Sequence, residues 1–143
     1  MSRHDEPMRG RLQADSSVPA DERHDYWGVV LDCPDAPALA RFYATLLGWK
    51  IASEKPQWAT VGAPDSVAYL GFQTSVEYVR PVWPPADGGQ QQMLHLDFQV
   101  SDLEAAVSHA VELGAEVAGF QPQQNVRVML DPAGHPFCLY VDG

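Results

Sequence analysis

Short apolar runs and helical apolar stripes follow one another along this chain in a fixed order, and the order occurs twice. Val29-Val30-Leu31 has the length and branched content of a buried strand. Pro34-Asp35-Ala36-Pro37 then turns the chain, with Asp35 placed to cap a helix and Pro37 in its first turn, where a missing N–H costs little. Leu39, Phe42, Tyr43, Leu46 and Leu47 recur at i, i+3, i+4, i+7 and i+8, so they form one apolar face, and Gly48 can end the helix. Strands are predicted over Trp49–Ser53, Trp58–Val61 and Val67–Gln73, separated by Glu54-Lys55-Pro56 and Gly62-Ala63-Pro64-Asp65-Ser66.

Residues 80–92 break the pattern, because their prolines and glycines do not fit inside a regular element. After this linker the order restarts with a strand over Leu94–Val100. Ser101-Asp102-Leu103-Glu104 matches a capping box, with Ser101 at the cap and Glu104 three residues on. Leu103, Ala106, Val107, Ala110 and Val111 give the helical stripe and Gly114 its end. Strands are expected at Glu116–Ala118, Val126–Leu130 and Phe137–Val141, with Asp131-Pro132-Ala133-Gly134-His135 as the last turn.

The chain is thus an internal repeat of β-α-β-β-β units, one over residues 26–79 and one over 93–143, joined by the linker and preceded by a polar tail over 1–25 that is expected to be disordered or loosely held. Each unit alone has a small sheet with one face to cover, so the two are expected to pair. The fold class is α+β: a curved, cup-shaped mixed sheet with helices outside, the whole of 26–143 forming one domain.

Phe42-Tyr43-Ala44-Thr45-Leu46-Leu47-Gly48-Trp49 in the first unit, and His95-Leu96-Asp97-Phe98-Gln99-Val100-Ser101-Asp102-Leu103 with Asp131-Pro132-Ala133-Gly134-His135-Pro136-Phe137 in the second, resemble the vicinal oxygen chelate superfamily of glyoxalases, bleomycin-resistance proteins and extradiol dioxygenases. The resemblance implies a cup in which each unit supplies a His or Gln from its first strand and a Glu from its last, four side chains binding one divalent ion. Carried over, these positions are Gly28, His95, Tyr69 and Cys138. His95 alone is an expected ligand. No cofactor is therefore expected, although a divalent ion (Zn, Ni, Mn or Fe) is not excluded, with Asp97 or Asp32 as a third donor beside His95 and Cys138.

Strand alternation places His95, Asp97 and Gln99 on the cup side, with Gly28, Val30 and Asp32 from the first unit. The remaining strands are expected to add Trp58, Tyr69, Gly71, Gln73, Arg127, Met129, Cys138 and Tyr140, and Trp83 of the linker to lid the cup or to pack against a sheet edge. This mixture of aromatic walls and a few polar groups suits a small-molecule pocket. His95 with Asp97 is the pair most suggestive of acid/base catalysis. The alternative is that Asp97 pairs with Arg127. His135 is expected to shape its turn, and His4, His24 and His109 to be solvated.

The chain has 143 residues, 45% of them hydrophobic, with 9 Lys and Arg against 19 Asp and Glu, for a formal charge of −10. After Tyr26 the only basic residues are Arg41, Lys50, Lys55, Arg80 and Arg127. Nucleic acid and anionic membrane surfaces are thereby disfavoured as partners. Two distant cysteines, Cys33 and Cys138, suggest reduced thiols in a cytoplasmic protein, and neither a signal peptide nor a membrane span is evident. Three functions fit: a metal-independent binder of a small, aromatic-containing organic molecule, a lyase or isomerase of the glyoxalase type or a metal-free catalyst using His95 and Asp97, and a module whose cup is filled by Trp58, Tyr69, Met129 and Tyr140. A homodimer is expected, its units pairing within or between chains.

Overall fold

The computed structural model describes residues 27–142. The expectation for the tail over 1–25, and with it His4 and His24, lies outside the described residues. The first unit runs β1 (Trp27–Cys33), α1 (Ala36–Leu47), β2 (Lys50–Lys55), β3 (Trp58–Gly62) and β4 (Ala68–Thr74). The second runs β5 (Leu96–Gln99), α2 (Leu103–Glu112), β6 (Glu116–Val117), β7 (Val126–Leu130) and β8 (Pro136–Tyr140). Each unit folds into a four-stranded mixed sheet, ordered β1-β4-β3-β2 and β5-β8-β7-β6, so the tandem α+β architecture expected from the repeat is present. The two sheets remain separate and do not close on each other.

Local chemistry sets the helix limits. The Asp35 side chain accepts from the Ala38 N–H, Pro37 lies in the first turn, and Gly48 ends α1 at φ +69°, a conformation that costs glycine least. In α2 the expected capping box is displaced by one residue. The cap is Asp102, whose carboxylate accepts from the Ala105 N–H at 3.1 Å, while Ser101 lies outside the helix and Glu104 falls in its first turn. A charged acceptor facing the helix's free N–H groups is stabilised by the macrodipole, which a hydroxyl is not. Asp35 and Asp102 are thus equivalent in the repeat.

The core is centred on α1. Tyr43 is fully buried and lies against Phe72 of its own unit, at a centroid distance of 5.7 Å, and against Phe98 and Phe137 of the other, at 6.4 and 6.1 Å. Such pairs are worth about 0.5–1.5 kcal/mol each beyond the area they bury. α2 contributes less, since only Ala110 is buried and Val111, expected in its stripe, is exposed.

Hydrogen bonds complete the seam between units. Tyr43 Oη donates to Asp131 Oδ2 at 2.7 Å, Tyr78 Oη donates to the Ala133 carbonyl at 2.7 Å, and His135 Nε2 donates to the Asp32 carbonyl at 2.6 Å. Asp131 Oδ1 accepts from the N–H groups of Ala133 and His135, which holds the Asp131–His135 turn in shape. His135 therefore shapes the turn, as expected, and also fastens it to the first unit. Burial raises both the Asp131 carboxyl and the Tyr43 phenol above their ordinary pKa ranges.

Candidate functional site

The open face of the first sheet is built from β1, β3 and β4. Gly28, Val30 and Asp32 pair in register with Tyr69, Gly71 and Gln73, and Trp58 pairs with Gln73, so these residues share one side. Two glycines make room for two rings. A Cβ on Gly28 would lie 2.5 Å from the Tyr69 ring, and one on Gly71 would lie 2.7 Å from the Trp58 indole. A pocket of about 510 Å³ opens beside these rings, walled by Trp58, Thr60, Gly62 and Tyr69 with Ala52 and Ser66. Every residue lining it belongs to the first unit. Gln73 shares the face but is exposed beyond the pocket.

The corresponding face of the second sheet carries different chemistry. Asp97 pairs in register with Cys138, and Gln99 with Tyr140. His95, immediately before β5, has its Nε2 3.2 Å from Asp97 Oδ1. The ligand atoms of His95, Asp97 and Cys138 all lie within 4.8 Å of one another. Burial, together with the Asp97 carboxylate beside it, pushes the Cys138 thiol up to about 11. Both cysteines are free, with Cys33 buried and Cys138 half-buried.

Two residues expected on this face lie on the other. β7 sets Val128, not Met129, opposite Cys138, while Arg127 pairs with Leu139 and Met129 with Phe137. Met129 is consequently buried in the core, and Arg127 Nη1 donates to the carbonyls of Gln124 and Val126. The cause is a one-residue difference of register, which exchanges the two faces of a strand. The expected alternative partner of Asp97 is therefore absent: the carboxylate pairs with His95 and not with Arg127.

A second pocket, of about 350 Å³, lies where the units meet and is bordered by Asp32, Glu77, Tyr78, His135 and residues 90–94 of the linker and its continuation. Sequence reasoning missed it, because its walls come from segments with no shared motif. Trp83 lines neither pocket. It is half-buried in a linker that folds on itself through the Val82 N–H and Gln90 carbonyl.

The four positions that the resemblance assigns to a divalent ion do not provide four donors. Gly28 offers no side chain, and the Tyr69 ring fills the space in which one would stand. Sheet register keeps the first-strand correspondence and corrects the last-strand one. β1 pairs with β4 at a separation of 41 residues, Gly28 with Tyr69, and β5 pairs with β8 at the same separation, Asp97 with Cys138. With Asp35 and Asp102 equivalent, Gly28 therefore corresponds to His95, and the place of Cys138 falls on Gly71, two residues beyond Tyr69. The result is an aromatic face on one unit and an imidazole, carboxylate and thiol on the other.

A model of the glyoxalase-like domain matches residues 28–140. Among solved structures, the chain is similar to a glyoxalase/bleomycin resistance protein/dioxygenase family enzyme from Burkholderia phytofirmans, with 18% identity and a TM-score of 0.55, covering 80% of this chain and 95% of the other. A glyoxalase family protein from Enterococcus faecalis gives 20% and 0.56 over 83% and 97%, and the fosfomycin resistance protein FosX from Mesorhizobium loti gives 11% and 0.58 over 82% and 91%. Among curated proteins no match to the sequence is found. No helix among the described residues is long and apolar enough to cross a membrane. With the family model spanning both units and the folds agreeing, the chain belongs to the glyoxalase-like domain family, within the vicinal oxygen chelate superfamily.

Proposed function

We propose that this protein binds a small organic molecule carrying an aromatic group, and that recognition occurs on the Trp58 and Tyr69 face without the four-ligand metal site of the superfamily. The observation that carries this reading is the pocket of about 510 Å³ walled by those two rings, a volume within the range of small-molecule sites. The rings offer stacking surface, and Thr60 and Ser66 offer hydroxyls to orient a polar substituent. No cofactor is needed for binding of this kind. Both cysteines being free supports a reducing, cytoplasmic setting.

The pocket draws on the first unit alone, and His95 and Asp97 stand open on the second. A homodimer in which each aromatic face meets the partner's His95 face would join them, which supports the dimer as the working assembly. Thermal denaturation with a panel of aromatic and aliphatic compounds, in the presence of a chelator, tests the binding reading. Aromatic members should raise the melting temperature and be recovered unaltered. Recovery of a chemically changed compound would overturn it.

A second reading has its own observation, the 3.2 Å approach of His95 Nε2 to Asp97 Oδ1, which supports metal-free acid/base catalysis by the pair. On this reading His95→Ala abolishes turnover of whatever compound is converted, and retention of full turnover would dismiss it.

A further inference from the structure

We propose that the second unit by itself forms a zinc-type metal site from His95 Nε2, the Asp97 carboxylate and Cys138 Sγ, with a fourth position open to solvent. The inference is independent of the small-molecule reading, since it involves no residue of the Trp58 and Tyr69 pocket.

The three donors lie on one face because of strand geometry. Asp97 and Cys138 are register partners on adjacent parallel strands, so their side chains project the same way, and His95, just before β5, brings its Nε2 to Asp97 on that face. Their backbones are anchored from behind, where Phe98, Phe137 and Leu139 of the same two strands pack into the core. The His95–Asp97 separation of 3.2 Å is close to that of two ligand atoms on a tetrahedral zinc, about 3.3 Å for Zn–N and Zn–O bonds of about 2.0–2.1 Å. With all three ligand atoms within 4.8 Å of one another, small side-chain rotations complete the arrangement. The exposure of His95 and Asp97, whose side chains are 44% and 57% accessible, leaves the outer side free. Three protein ligands and one open position are the pattern of catalytic zinc sites, whereas structural zinc sites are closed by four.

The donor set also selects among metals. One thiolate and one imidazole favour zinc, cobalt or cadmium, and offer too few oxygens for magnesium, calcium or manganese. Binding replaces the thiol proton of Cys138 with the metal and releases that proton to solvent. The site thus differs from the superfamily arrangement in drawing every ligand from one unit, and the lack of a donor at the first unit's corresponding positions, Gly28 and Gly71, leaves it intact.

The full chain, stripped of metal, would be titrated with Zn²⁺ by calorimetry and with Co²⁺ by absorption. One Zn²⁺ per chain is expected, with release of a proton, and the Co²⁺ adduct should show an intense thiolate-to-cobalt charge-transfer band. Cys138→Ser should remove the band and Cys33→Ala should keep it. His95→Ala and Asp97→Asn should each weaken Zn²⁺ binding by at least the roughly 10–100-fold that loss of a supporting residue costs at such sites. Melting curves of each variant would establish that it remains folded. A missing band in the wild-type chain, a band that survives Cys138→Ser, Zn²⁺ affinity unchanged in all three ligand variants, or Mn²⁺ binding as tightly as Zn²⁺ would each overturn the proposal.

Discussion

The ring of Tyr69 lies across Gly28, its register partner, so closely that a Cβ at position 28 would meet Cδ2 at 2.5 Å. Position 28 is therefore a seat for the ring, and it is no longer free to carry a ligand side chain. Gly28→Ala should destabilise the protein by about 1–3 kcal/mol, the usual range for overpacking. In a Tyr69→Ala background the same change should cost under about 0.5 kcal/mol, because the ring that clashes is gone. The four stabilities form a double-mutant cycle, measurable by urea denaturation. Equal costs in both backgrounds would show that the Tyr69 ring is not what opposes a side chain at position 28.

Much of this architecture was legible in local patterns. The α1 stripe, its Asp35 cap and its Gly48 stop are short-range signals, and each appears where periodicity placed it. The faces of β7 were harder. Val126–Leu130 is apolar at Val126, Val128, Met129 and Leu130 alike, so alternation could not choose a side, and pairing with β8 made the choice. The candidate site was legible in part for the same reason: alternation puts Asp97 and Cys138 on one face of β5 and β8, where they are register partners, with His95 just before β5, while Arg127 lies on the opposite face. The seam was beyond sequence reading, because Tyr43 and Asp131 are 88 residues apart and nothing local marks either as the other's partner.

The displaced cap of α2 makes a direct comparison possible. Asp102→Ala removes the acceptor for the Ala105 N–H and should cost about 1 kcal/mol. Ser101→Ala removes a hydroxyl outside the helix and should stay within about 0.5 kcal/mol. Denaturation midpoints of the two variants decide the matter, and a larger loss at Ser101 would restore the capping box.

Ligand affinity should separate Trp58 from Trp83. Trp58 walls the larger pocket and Trp83 lines neither. Trp58→Ala should weaken an aromatic ligand by about 10-fold or more, near 1.4 kcal/mol, through lost stacking. Trp83→Ala should leave the dissociation constant unchanged by equilibrium dialysis. The reverse outcome would move the binding site to the linker.

Asp131 carries opposing electrostatic effects whose balance is measurable. It is 1% exposed, and burial raises its carboxyl pKa, while hydrogen bonds from Tyr43, Ala133 and His135 lower it. Removing the acceptor altogether, in Asp131→Ala, strands the buried Tyr43 hydroxyl and two turn N–H groups and should cost about 3–5 kcal/mol. The pH dependence tests which effect wins. With the folded pKa raised above 3.8, the native state binds more protons than the unfolded chain between the two values. The stability from this titration is then fully present below about pH 3.8 and is lost as pH rises through the folded pKa. Asp131→Asn cannot titrate, so the margin of wild type over this variant should be widest in acid and should narrow toward neutrality. Urea denaturation of both proteins from about pH 3.5 to 7 reads that margin directly. A margin that widens as pH rises would mean that the three hydrogen bonds outweigh burial and that Asp131 is held ionised at the seam.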